Sequence, residues 1–167
     1  FYELTMAQGY FVNDRHEKEA VYDYFFRKHP FEGGYTVFAG MSDLVALIDR
    51  FTFDDEALEF LSEQGFRDDF LEYLSDFKFS GTIHAPEEGN LVFPQEPLAR
   101  VEGTILETQI LETLLLNVLN FQSLIATKVA RMHLVAGDRP VIDFGLRRAQ
   151  GLAGLWASRA AVIGGAQ

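Results

Sequence analysis

The chain has 167 residues, of which 48% are hydrophobic and 16 are phenylalanine, enough apolar surface for the core of one folded domain. Fourteen Lys and Arg against 25 Asp and Glu give a net charge of −11, which disfavours binding to nucleic acids and to anionic membrane surfaces. The absence of cysteine excludes disulfides and thiolate metal sites and suits a reducing compartment, so we expect a cytoplasmic protein.

No signal peptide or membrane span is predicted. Residues 1–10 lack the basic region and the apolar stretch of a signal peptide. The longest uncharged stretch, residues 113–127, is shorter than a typical spanning helix and contains polar amides. Because the first residue is not Met, we expect the numbering to start inside a longer chain.

The first segments predict one helix and two strands. Apolar residues recur at helical spacing over Tyr2–Val12. Residues 20–28 and 35–39 are rich in aromatic and β-branched side chains, which favour strands. Pro and Gly between the two favour a turn, so we expect these strands to pair antiparallel.

Short helices are predicted next. Ser42 is expected to cap the first of them. Thr52 and Asp55 resemble the capping box of the second, which Gly65 would end. Residues 67–77 have the spacing of a third.

The pattern then changes to strands and back to a helix. Short apolar runs separated by Pro and Gly predict strands at residues 78–85, 90–94 and 98–103. Helical spacing returns over Ile105–Ala136, whose length predicts two helices with a break near Asn120.

The end of the chain predicts the start of an α/β unit. After a turn, residues 141–144 have the composition of a strand, and residues 152–163 that of a helix. We therefore expect an α+β amino-terminal domain over residues 1–136, followed over residues 137–167 by the first strand–helix unit of an incomplete α/β barrel. One strand and one helix cannot close a barrel, so we expect the chain to be part of a longer protein.

Arg147 and Arg148 would follow the predicted strand, at the end where α/β sheets and barrels bind ligands. Arginine offers a planar fork of donors that matches a carboxylate or phosphate. The alternative is a surface salt bridge with Asp143 or another carboxylate. Phe144 could stack on a flat ring or belong to the core, and Tyr2 could line a pocket or cover a helix.

Other chemistry is not indicated. Glu87 and Glu88 are adjacent in a turn, where side chains point apart, so paired acid/base work is not expected. The sequence has no Walker loop, dinucleotide fingerprint or nucleophile elbow. No metal-ligand spacing relates the histidines, which are His16, His29, His84 and His133. We therefore assign no catalytic residue and no metal ligand to this chain.

Five stretches in order resemble nicotinate phosphoribosyltransferases: FYELTMAQGYF, FFRKHPFEGGYTVFAG, VFPQEPLARVEG, LLNVLNFQSLIATKVAR and FGLRRAQG. The resemblance spans nearly the whole chain but only the amino-terminal portion of that family. It implies transfer of phosphoribose from phosphoribosyl pyrophosphate to nicotinate in NAD salvage, by an enzyme whose amino-terminal α/β domain packs on an irregular barrel.

The resemblance also implies site residues. Tyr2 and Phe144 would sandwich the pyridine ring, with the tyrosine contributed by the other subunit of a homodimer. Arg147, and with it Arg148, would meet the anionic groups of the substrate. This assignment is physically reasonable, because aromatic faces stack on a flat ring and a guanidinium fork binds its carboxylate.

The family also uses ATP and Mg²⁺, through a phosphorylatable histidine and acidic residues that match nothing in this chain, so we expect the chain alone to be inactive. Two alternatives stay open. One is a non-catalytic interaction or dimerisation module, since an open barrel edge seeks a partner. The other is a nicotinamide or quinolinate phosphoribosyltransferase, which the GLRRAQG loop disfavours.

Overall fold

The computed structural model describes residues 1–149, 151 and 153–167 and has a mixed α+β fold, as predicted. The helices are α1 (Tyr2–Val12), α2 (Met41–Ile48), α3 (Asp55–Glu63), α4 (Asp68–Ser75), α5 (Ile105–Ala136) and α6 (Ala153–Ile163). The strands are β1 (Glu19–Tyr24), β2 (Thr36–Val37), β3 (Thr82–His84), β4 (Leu91–Val92) and β5 (Ala99–Thr104).

The chain divides into two compact units, each built from separate stretches of sequence. Unit 1 consists of Phe1–Tyr22, Val45–Ile83 and Arg100–Thr113. Unit 2 consists of Asp23–Leu44, His84–Ala99 and Leu114–Gln167. The predicted division of the chain after residue 136 stays a prediction.

Unit 1 has an aromatic core. Helix α4 is amphipathic and buries Phe70, Leu71 and Leu74, which lie on one face because their spacing matches the helical period. Ala7 of α1 and Leu61 of α3 belong to the same cluster. Its other buried members are Phe66, Phe77, Leu106 and Ile110.

Helix starts in the structure differ in part from the predicted caps. Helix α3 is capped by Asp54, whose carboxylate accepts a hydrogen bond from the Ala57 N–H at 2.9 Å, and not by Thr52. Ser42 is also not a cap, because α2 already begins at Met41. Gly65, with φ +86°, follows the end of α3 as predicted.

Helix α5 begins with a capping box. The Thr104 N–H donates to Glu107 Oε2 at 3.0 Å, and the Glu107 N–H donates to Thr104 Oγ1 at 3.2 Å. The Ser80 N–H and hydroxyl donate to the other carboxylate oxygen at 2.8 and 2.9 Å. Burial acts to raise the pKa of Glu107, but these hydrogen bonds outweigh it and lower the pKa.

The predicted break in α5 is wrong. The helix is continuous over 32 residues. Its interior has no Gly or Pro, and an Asn costs a helix only about 0.7 kcal/mol, which the surrounding packing outweighs. Asn120 instead accepts a hydrogen bond from the Tyr24 hydroxyl at 2.9 Å. Length and composition alone would let α5 cross a membrane, but 50% of its apolar window is buried inside the protein, as in a core helix.

Strand pairing is non-local, so the predicted hairpin of β1 with β2 is wrong. One sheet has the order β1-β5-β3, and β2 pairs antiparallel with β4. Residues 25–28 leave the ladder, and Pro30–Glu32 form a 3-10 turn instead of a short hairpin loop.

In unit 2, α5 bonds to the strand β2 and its extension through side-chain hydroxyls. The Val37 N–H donates to Thr127 Oγ1 at 2.9 Å, and the Ala39 N–H donates to Ser123 Oγ at 3.1 Å. Both hydroxyl residues are fully buried. Small residues line this contact, since Ala39 packs with Ala126 and Ala160.

The predicted strand at residues 141–144 does not form, and no barrel is evident in the described residues. Those four residues have no regular secondary structure. A strand needs a neighbour for its backbone hydrogen bonds, and no strand of the described ranges runs beside this segment. The helix that follows does form, as α6, although its predicted first residue, Leu152, lies outside the described residues.

Candidate functional site

The predicted arginines lie on a short turn with a fixed backbone. Residues 141–145 lead into a 3-10 turn over Leu146–Arg148. The Asp143 carboxylate accepts a hydrogen bond from the Gly145 N–H at 2.7 Å. The Arg148 N–H donates to the Gly145 carbonyl at 2.8 Å. The backbone is therefore held by local bonds while the side chains face solvent.

The turn packs against the start of α6, and Gly154 permits the close approach. A Cβ at this position would lie 2.9 Å from Leu146 Cδ1 and 2.9 Å from Ala149 Cβ. Real side chains do not approach so closely, so any larger residue would push the helix and the turn apart.

Phe144, Arg147 and Arg148 are brought together on this segment and are all exposed. Phe144 is 80% exposed, so it does not belong to the core of this chain. Neither guanidinium makes a salt bridge within residues 1–149, 151 and 153–167, and Asp143 bonds to the backbone instead. The alternative of a surface ion pair therefore has no support here, and both arginine forks are available to an anion.

Tyr2 is the first residue of α1 and belongs to unit 1, whereas the turn belongs to unit 2. Its side chain is 54% exposed. Desolvation and the nearby Glu112 carboxylate raise the pKa of its phenol, which stays protonated at neutral pH.

Two of the histidines contact neighbouring aromatic or hydroxyl side chains. The His16 ring packs on Phe11 and Tyr73, with ring centroids 4.9 and 5.2 Å away. The His29 ring lies 3.3 Å from the Thr36 hydroxyl. In the part of the chain that the structure describes, no three His, Asp or Glu residues converge on a possible metal position.

Sequence reasoning missed a polar network around Arg159 of α6. Arg159 Nη1 donates to Glu88 Oε1 at 2.9 Å, and Nη2 donates to Glu88 Oε2. Nη1 also lies 3.6 Å from Asp43 Oδ2. The available signal was a lone charged residue in a helix of small and apolar residues, together with the acidic pair at Glu87.

Glu88 is the centre of this network. Besides Arg159, it accepts hydrogen bonds from the Gly40 N–H at 2.6 Å and from the Ser42 hydroxyl at 3.0 Å. Burial alone would raise its pKa, but the Arg159, Gly40 and Ser42 donors outweigh burial and lower the pKa to about 2. The bond to Glu88 in turn raises the pKa of Arg159. Both groups are therefore charged at neutral pH.

Known proteins are similar to this chain over nearly its whole length. A family model described as the nicotinate phosphoribosyltransferase (NAPRTase) N-terminal domain matches residues 1–120. The nicotinate phosphoribosyltransferase of Bacillus subtilis is 45% identical over 166 residues, which are 98% of this chain and 34% of the relative. That of Dictyostelium discoideum is 44% identical over 170 residues, covering 99% of this chain and 29% of the relative. The crystal structure of human nicotinic acid phosphoribosyltransferase superimposes with a TM-score of 0.91 at 38% identity, over 99% of this chain and 34% of the human one. The chain thus spans about a third of the length of the proteins it matches.

Proposed function

Because this chain belongs to the nicotinate phosphoribosyltransferase family, we propose that it forms the amino-terminal part of an enzyme that joins nicotinate to phosphoribosyl pyrophosphate. The products are nicotinate mononucleotide and pyrophosphate, a step of NAD salvage. The chain covers 34% of its Bacillus subtilis relative, so we assign to it the binding of the pyridine ring and not the whole reaction.

The exposed, unpaired fork of Arg147 beside the exposed ring of Phe144 carries this proposal. Nicotinate is a flat ring with a carboxylate. Two parallel N–H donors hold a carboxylate in one orientation, and an aromatic face covers a ring. We assign Arg148 as a second contact to the anionic groups of the substrates.

Tyr2 is proposed to complete the ring site from a second copy of the chain in a homodimer. Its ring is half exposed, as a residue that covers a ligand across a subunit interface would be before assembly. Its protonated hydroxyl does not repel an anion, unlike a phenolate. In the complete enzyme, these groups position the ring nitrogen for attack while pyrophosphate leaves the anomeric carbon.

ATP and Mg²⁺ stay predictions from the family. No acidic or histidine cluster of the described residues fits a magnesium ion, so no step is derived through either group. The cytoplasmic location likewise stays a prediction.

The test is calorimetric titration of the chain with nicotinate and phosphoribosyl pyrophosphate, with nicotinamide as the uncharged comparison. Arg147→Ala should weaken nicotinate binding by about ten- to a hundredfold, the effect of one lost charge-assisted hydrogen bond. Arg147→Lys keeps the charge but loses the fork, so its affinity for nicotinate should lie between those of wild type and Arg147→Ala. Arg67→Ala is the matched control, because Arg67 pairs with Asp69 on the surface of unit 1. Equal affinity in wild type and Arg147→Ala would remove Arg147 from the site.

One observation favours a second candidate, a non-catalytic dimerisation module. Apolar side chains are exposed around the turn and along α6, which is typical of an interaction surface. They are Ile142, Phe144, Leu146, Leu155 and Val162. Dimerisation in analytical ultracentrifugation without binding of either substrate would favour the module. Binding of nicotinamide equal to that of nicotinate would favour a nicotinamide phosphoribosyltransferase instead.

A further inference from the structure

The guanidinium of Arg159 connects α6 to three other segments of unit 2. Its fork takes both carboxylate oxygens of Glu88, which lies between β3 and β4. Its Nη1 lies 3.6 Å from Asp43 of α2 and 3.4 Å from the amide oxygen of Gln122 on α5. One side chain therefore fixes α6 against elements that are distant in sequence.

The partners of Arg159 are themselves fixed. Gln122 is fully buried, and its Nε2 donates to Asp43 Oδ2 at 2.8 Å. The Gly40 N–H holds Glu88 at the start of α2, at 2.6 Å. The Glu88 side chain is 17% exposed and that of Arg159 is 35% exposed, so this ion pair is partly shielded from water. A fixed acceptor leaves the arginine little freedom.

The start of α6 packs against the Leu146–Arg148 turn, so a movement of the helix also moves the turn. Gly154 lies against Leu146 and Ala149 without room for one more carbon. Residues that are packed so closely move together, because neither can shift without opening a gap or a clash. A displacement of α6 would therefore displace the segment that bears Arg147.

We propose that Arg159 is a positioning residue: its bidentate bond to Glu88 anchors α6, and α6 holds the Leu146–Arg148 turn where Arg147 meets the substrate anion. This inference rests on the proposed function, since it deepens the role of the same site. Arg159 itself is not assigned a contact with the substrate.

A double-mutant cycle on the chain tests the inference. Arg159→Gln should weaken nicotinate binding about tenfold, because coupling through packed elements has this magnitude. In an Arg147→Ala background, the same substitution should change the affinity less than twofold, since Arg159 acts through Arg147. A tenfold loss in both backgrounds would mean a general structural role and would overturn the inference.

Conservative variants keep the test decisive if Arg159→Gln folds poorly. Arg159→Lys retains the charge but not the fork and should lose part of the affinity. Glu88→Gln should weaken nicotinate binding as Arg159→Gln does. Arg67→Ala, which breaks a surface ion pair in unit 1, should change nothing. Wild-type affinity in both Arg159→Lys and Glu88→Gln would contradict the proposal.

Hydrogen exchange gives a readout without ligand. The Arg148 and Ala149 amides are bonded within the turn, to Gly145 O at 2.8 Å and Leu146 O at 3.1 Å. Both should exchange at least severalfold faster in Arg159→Gln, but not in Arg67→Ala. If the wild-type chain binds no nicotinate while these amides respond, the proposed function fails and the mechanical link survives. If it binds nicotinate and the amides do not respond, the link fails alone.

Discussion

Unit 1 has a core of large aromatic and aliphatic side chains, whereas unit 2 contains, besides buried large side chains such as Phe38 and Leu119, a contact of small residues joined by buried hydrogen bonds. In unit 1, the rings of Phe66 and Phe70 stack with centroids 6.1 Å apart. In unit 2, the fully buried side chains of Ser123 and Thr127 bond to backbone amides of the segment around β2. Alanines such as Ala126 fill the space between them.

The two kinds of packing are sensitive to different perturbations. Packing of large apolar groups depends on volume and is insensitive to pH. Buried polar bonds depend on angle and distance, and an unpaired donor is costly. The contact between α5 and the segment around β2 in unit 2, the unit that bears the candidate turn, therefore depends on hydrogen-bond geometry as well as on packing.

The largest effect is expected from removing volume in unit 1. Phe70 is fully buried, so Phe70→Ala should destabilise the chain by about 3–5 kcal/mol, from lost burial and the cavity left behind. Urea denaturation measures the free energy of unfolding. Phe60→Ala is the matched control, because Phe60 is 53% exposed on α3. Equal losses in the two variants would contradict the role of the aromatic core.

A smaller loss is expected from removing one hydroxyl in unit 2. Thr127→Val keeps the shape but leaves the Val37 N–H without its acceptor, at a cost of about 1–3 kcal/mol. The same denaturation experiment applies, with Thr82→Val on an exposed strand position as the control. If Thr127→Val loses no more unfolding free energy than Thr82→Val, then packing, and not the hydrogen bond, stabilises this contact.

The smallest effect concerns pH. The pKa of Glu88 is about 2 in the folded chain against its ordinary 4.5, so its contribution to stability is present above pH 4.5 and is lost as the pH falls towards 2. Wild type should exceed Glu88→Gln in unfolding free energy by about 1 kcal/mol at pH 7, a value reduced for partial exposure, and the gap should close by pH 2. Glu59→Gln, at an exposed position of α3, gives the background. A gap that does not change with pH would contradict the assignment.

Local patterns predicted the helices well and the strand partners poorly. The bounds of α1 were predicted as they occur, from apolar residues that recur at helical spacing within one short stretch. The pairing of β1 with β5 was not, because a ladder joins residues far apart in sequence. The segment at residues 141–144 has strand composition but no neighbouring strand, and composition alone cannot supply one.

The candidate site was predictable where its residues are adjacent in sequence. Phe144 and Arg147 lie within one stretch, so a single motif pointed to both. Arg159 and Glu88 are 71 residues apart, and no periodicity relates them. The sequence assigned no role to Glu88, because it lies next to Glu87 in a turn. Only the fold reveals that Glu88 binds Arg159 and so anchors α6.

Position 154 sets a size limit that a mutational library would expose. Only a hydrogen atom fits at position 154, where Leu146 and Ala149 face the helix. If the turn must keep its shape, even Gly154→Ala should be selected against. Among related sequences, a bulkier residue at this point would therefore mark a protein that presents its paired arginines on a differently shaped loop, and it would do so before any substrate had been assayed.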